Sequence, residues 1–86
     1  MNQDTTHTAW VITDRALLNS DRADLAVIED GTNTIMSYTV LPVRYDAAHD
    51  DLAAAVNTAL TEAGWEPAGL TKAVDTGEVI PVQRAH

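Results

Sequence analysis

Cysteine is missing from this chain, which removes disulfide staples and thiolate metal sites and leaves stability to packing and hydrogen bonding. Phenylalanine is missing too, and Trp10, Tyr38, Tyr45 and Trp65 are the only aromatic side chains. The core must then be assembled mostly from Val, Ile, Leu and Ala, in thin and closely packed layers. Basic residues are scarce: Arg15, Arg22, Arg44, Lys72 and Arg84 stand singly against 13 acidic residues, giving a net charge of −8. Binding to a phosphate backbone needs a basic stripe, so direct nucleic-acid binding is not expected. No apolar run approaches the roughly 20 residues of a membrane span, and Met1–Thr8 lacks the basic and apolar pattern of a signal peptide. No membrane partner and a cytoplasmic location are the corresponding expectations.

A chain of 86 residues cannot divide its buried surface between two cores. We expect a loose polar tail over 1–7 and a single domain over 8–86. The usual per-residue scaling puts its stability at roughly 4–13 kcal/mol.

The strongest local signal lies between Asp46 and Trp65. Leu52, Ala55, Val56, Ala59, Leu60 and Ala63 recur at i, i+3, i+4, i+7, i+8 and i+11, the stripe of an amphipathic helix. The spacing predicts a helix over 46–63, with Asp46 as N-cap and Asp50 and Asp51 placed where the macrodipole favours negative charge. Gly64 supplies the left-handed terminator, and Trp65 is placed to fold back on Leu60. The alanines in the stripe predict close packing on a sheet, so that enlarging Ala55 or Ala59 would overpack it.

Strand signals surround this helix. Thr8–Thr13 carries Trp10, Val11 and Ile12 and reads as a first strand, and Asp14 can cap a short helical turn through Asn19. Leu25–Glu29 and Thr34–Val43 flank Asp30-Gly31, a dipeptide suited to a two-residue type I′ turn. That register sets Leu25 opposite Met36 and puts Leu25, Val27, Met36, Tyr38 and Val40 on one face, under the helix. After the helix, Leu70–Val74 and Glu78–Val82 flank Asp75-Thr76-Gly77 as a second hairpin with a three-residue loop, and Pro81 marks the last strand as an edge. The expected fold class is α+β, a largely antiparallel sheet packed by one main helix in the order β-(short α)-β-β-α-β-β. Its edges at Thr8–Thr13 and Glu78–Val82 could pair two copies, so a homodimer is expected by sheet extension.

Three patterns bear on chemistry. Asp75-Thr76-Gly77 after an apolar strand resembles the catalytic triplet of retroviral-type aspartic proteases, in which two such loops share a proton. Only Glu78–His86 follows it, too little for a flap, and the same triplet is ordinary turn chemistry. His49 with Asp46 and Asp50 gathers metal-binding residue types on one helical turn, but His49 lies to the side of the i, i+4 pair, and a zinc site wants three or four converging ligands. Asp50/Asp51 and Glu29/Asp30 offer paired carboxylates with no further partner. We therefore assign no catalytic, cofactor-binding or metal residue.

Two wider resemblances exist. Tyr38-Thr39-Val40-Leu41-Pro42, then Ala55-Val56-Asn57-Thr58-Ala59-Leu60 in a helix, then Gly77-Glu78-Val79-Ile80-Pro81, resembles HicB-type antitoxins. The resemblance implies a partial RNase H-like fold that masks a toxin, although the family's Asp-Leu-Pro-Gly-Cys segment is missing after Val40. The run from Ala59 to Trp65, with Thr76-Gly77 and Pro81-Val82, is similar to short mobile-element proteins of high-GC bacteria, which implies a setting and no activity.

The reading that unites these features is a small acidic, non-enzymatic protein-interaction module, of which an antitoxin or inhibitor from a mobile element is one form. Its partner would be a basic protein, met by Asp46, Asp50, Asp51, Glu62 and Glu66. Two alternatives remain: a dimeric small-ligand-binding domain or small enzyme, and an acidic mimic of nucleic acid that blocks a DNA-binding protein.

Overall fold

The first strand, β1 (His7–Ile12), runs through the middle of the sheet, because its alternation of Ala9 and Val11 with Thr8, Trp10 and Ile12 offers an apolar residue to each face. This comes from a computed structural model, which describes residues 6–85. Of the expected tail, residues 1–5 lie outside the described ones, while His7 already pairs with Glu29 on one side and Val82 on the other. Asp14 then caps a single 3-10 turn, Arg15–Leu17, by accepting from the Ala16 amide at 3.0 Å. That turn buries Leu18 and leaves Leu17 in solvent.

Strands β2 (Arg22–Glu29) and β3 (Thr34–Arg44) form the expected hairpin, but with a different turn. Asp30–Asn33 make a four-residue loop closed by the Asn33 amide on the Glu29 carbonyl, with Gly31 and Asn33 both at positive φ. Glu29 therefore faces Thr34. A register shift between Val27 and Ile28 then leaves Met36 as an extra residue, so that Val27 faces Ser37 and Leu25 faces Thr39. One inserted residue exchanges the two faces of everything beyond it. Leu25 and Val27 lie in the core as expected, whereas Met36, Tyr38 and Val40 turn to the other face and are exposed.

Helix α1 spans His49–Glu62 and starts three residues later than its pattern predicts. Ala48 occupies the N-cap without a side-chain bond, because Asp46 is held instead by the Arg44 guanidinium at 3.0 Å. At the other end the terminator is as expected. Gly64 has φ +88°, and Trp65 is buried in the same cluster as Leu60. The expected second hairpin becomes three strands, β4 (Trp65–Pro67), β5 (Lys72–Val74) and β6 (Gly77–Arg84), with Asp75-Thr76 alone as the β5–β6 loop.

The sheet is antiparallel throughout, in the order β3-β2-β1-β6-β4, with β5 also paired to β6. Strand β6 is thus an interior strand and not an edge: β1 lies on one side, and β5 and β4 share the other. Pro81 is tolerated there because it falls in the gap between β5 and β4, where its carbonyl accepts from the Ala68 amide at 2.7 Å and no ladder donor is required of it. With β1 and β6 both interior, sheet extension between two copies through Thr8–Thr13 or Glu78–Val82 is closed. Among the described residues the free edges belong to β3 and to β4 with β5. Helix α1 lies closest to β3 and β4, the two ends of the strand order, so the sheet curls around it. Leu52, Val56 and Leu60 fill that curl over Ala9, Val11, Leu25, Val27, Leu41, Ile80 and Val82. The architecture is α+β, one helix on one face of a six-stranded antiparallel sheet.

Candidate functional site

The helix presents two adjacent stripes. Leu52, Val56 and Leu60 point into the core, while Asp51, Ala54, Ala55, Thr58, Ala59 and Glu62, spaced i, i+3, i+4, i+7, i+8 and i+11, face sideways. The second stripe and the strand residues Thr39, Val40, Pro42, Val43 and Arg44 are the two walls of a cleft of about 850 Å³. Small side chains on the helix wall keep it open: Ala55 and Ala59 are half-buried at its floor and Ala54 and Thr58 are exposed. Ala59 packs against the core cluster, and Ala55 and Ala59 also line this cleft. The strand wall is a sheet edge, since among the described residues β3 pairs only with β2, and every second residue of a regular edge turns its N–H and C=O outward.

Charge is confined to the rim. Arg44 is neutralised locally, with Nη1 2.9 Å from Asp21 and Nε 3.0 Å from Asp46. The hydrogen bond to Asp46 is the largest influence holding the guanidinium above its ordinary pKa, followed by the charge of Asp46, with Asp21 adding to it. Asp51 and Glu62, by contrast, make no ion pair among the described residues. They stand about three helical turns apart, roughly 16 Å along α1, and give the cleft two unneutralised negative ends.

Of the five acidic residues expected to meet a partner, Asp46, Asp51 and Glu62 converge on this cleft. Asp50, one position round the helix, is not part of its lining. Glu66 sits on β4 and accepts from Gln83 Nε2 at 3.1 Å. The other candidates disperse. His49 lies 3.8 Å from Glu78, away from Asp46. Asp30 accepts from the hydroxyls of Thr6 and Thr8, and Glu29 from Thr32, so this carboxylate pair holds a turn. Asp75 is exposed in the β5–β6 loop, and Gly77 is required by packing. Among the described residues no group of three or more His, Cys, Asp or Glu is placed to hold a metal ion, and no helix is long and apolar enough to cross a membrane.

The sheet face turned away from α1 carries a buried carboxylate. Asp24 is 4% exposed and accepts a short hydrogen bond from the Tyr38 hydroxyl. That bond, then burial and the charge of Asp24, raise the tyrosine above its ordinary value of 10.0. The folded pKa is the higher one, so the contribution of this pair is fully present below about pH 10 and is lost as pH rises through the folded value. Stability followed by urea unfolding through that alkaline range should fall in the parent chain and fall less in Tyr38→Phe. At neutral pH Tyr38→Phe leaves Asp24 without its side-chain donor and should cost about 1–3 kcal/mol; parallel pH curves for the two proteins would show that the pair does not exist.

The acidic rim is legible in the sequence and the walls are not. Thr39, Val40, Pro42, Val43, Ala54 and Thr58 were legible only as strand and helix residues. The available signal was the width of the small-residue arc on the helix, broader than the core stripe requires. No protein-family model, no curated protein and no solved structure matches the chain significantly.

Proposed function

We propose that this protein is a small acidic interaction module, without catalytic activity of its own, that holds a basic segment of another protein in the cleft between β3 and α1. The observation that carries this reading is the pairing of an apolar helix wall with two carboxylates that make no ion pair among the described residues: Ala54, Ala55 and Ala59 form the wall, and Asp51 and Glu62 close the ends. Desolvating an apolar strip supplies affinity, and unneutralised charge at the rim supplies steering and choice of partner. The net charge of −8 extends the same preference over the whole surface. An antitoxin or inhibitor that covers a basic toxin or nuclease is the form of this function that the HicB resemblance supports.

Peptides selected from a random display library against the full chain test it. Selected sequences should be rich in Lys and Arg, and their affinity should fall steeply when ionic strength is raised from about 0.05 to about 0.5 M. The double reversal Asp51→Lys with Glu62→Lys should weaken them about tenfold, corresponding to about 1.4 kcal/mol. Asp50→Lys, on the same helix but off the cleft, should do so no more than the loss of general charge requires. Equal losses from both variants, or selected peptides without basic residues, would overturn the reading.

A further inference from the structure

We infer that the segment held in this cleft binds as an extended strand added to the free edge of β3, with basic residues near its two ends and small or β-branched side chains between them. The inference rests on the reading of the cleft as a partner site and specifies the form the partner takes.

Three observations point to a strand. First, β3 (Thr34–Arg44) is the longest strand among the described residues, and these supply it with one neighbour only, so its outer row of N–H and C=O groups has no partner among them on that side. A helix docked there has its own backbone bonds satisfied and would leave that row unpaired, whereas an added strand satisfies it. Pro42 has no N–H to give, and it lies where a register shift sets Leu41, Pro42 and Val43 opposite Ala23 alone, so ladder bonds form on the two sides of this bulge. Second, the opposite wall is made of Ala54, Ala55, Thr58 and Ala59, whose short side chains accommodate the alternate residues of one extended chain. Valine, threonine or alanine fits above such a surface, where larger side chains would be pushed out. Third, the roughly 16 Å between Asp51 and Glu62 along the helix is the length of about five residues of extended chain. Lysine or arginine at each end of a stretch of that size can reach both carboxylates at once.

The experiment uses the unmodified full chain and a selected peptide of about ten residues. Two versions are made, one with backbone N-methylation at the odd positions and one at the even positions. In an added strand only one of these sets faces β3. One version should therefore lose at least about tenfold in affinity, about 1.4 kcal/mol, while the other stays within about twofold. Thr58→Trp, at an exposed position on the cleft wall, should abolish binding of the parent peptide. Equal, large losses from both N-methylated versions would identify a helical partner and overturn the strand. Losses below about twofold from both would overturn it as well. In either case, continued dependence on Asp51 and Glu62 leaves the cleft as the partner site. Independence from those residues and from Thr58→Trp removes both readings together.

Discussion

Gly77→Ala should be the most damaging single methyl group that can be added to this chain, costing at least about 3 kcal/mol of a total near 4–13 kcal/mol. Gly77 opens β6 opposite Ile12 of β1 and Val74 of β5, at φ +148°. A Cβ there would stand 2.0 Å from the Val11 carbonyl oxygen and 3.2 Å from the Thr13 amide nitrogen. Both are backbone atoms of the central strand or its immediate continuation, and the Thr13 amide is itself held by the Thr76 carbonyl at 2.9 Å. No side chain can swing aside to make room. The methyl group must push β6 away from β1 at the end of their ladder. Gly31 is the matched control, because its φ is +91° but nothing lies within 4 Å of its Cβ position. Gly31→Ala should cost only the backbone term, about 1 kcal/mol. Urea unfolding of the two variants tests this, and similar losses for both would contradict the β1–β6 register.

Trp65→Ala should cost about 3–5 kcal/mol, the usual range for emptying a buried tryptophan site. Trp65 follows the left-handed Gly64 and is 2% exposed, so its ring lies under the end of α1. The His7 ring packs against it with centroids 4.7 Å apart and planes at 51°, and the Arg84 guanidinium carbon sits 4.4 Å from the ring centre. The start of β1, the end of α1 and the end of β6 therefore meet on one side chain. Removing it also strips the packing from His7, whose Nε2 is buried without a hydrogen-bond partner among the described residues. Trp65→Phe should recover part of the loss. A cost below about 1 kcal/mol for Trp65→Ala would mean that the sheet does not close on the helix at this end.

The elements were legible in the sequence because each is specified locally. Asp14 before a short turn, the Leu52–Val56–Leu60 stripe and Gly64-Trp65 all act through neighbours within a few residues. The failures come from interactions at longer range. Asp30-Gly31 is a good two-residue turn taken alone, but Asn33 can also adopt positive φ, and a four-residue loop results. The extra residue at Met36 then decides which face Tyr38 and Val40 occupy, and no local rule sets it. Asp46 is a good cap taken alone, and Arg44 beside it takes the carboxylate. Pro81 signals an edge unless the neighbouring ladder is interrupted opposite it, which depends on where β4 ends and β5 begins. The candidate site was half legible for the same reason. Acidic residues on a helix announce themselves, whereas the cleft exists only because a small-residue arc lies beside a strand edge far away in sequence.

The absence of cysteine allows the central claim to be tested at single positions. A Thr58→Cys variant places a lone thiol in the cleft, and Lys72→Cys places one on the opposite edge, at β5; both sites are exposed. With saturating selected peptide, maleimide alkylation should slow at least about tenfold at position 58 and remain unchanged at position 72. Equal protection at both positions, or alkylation at 58 as fast with peptide as without it, would contradict the claim that the partner lies between β3 and α1.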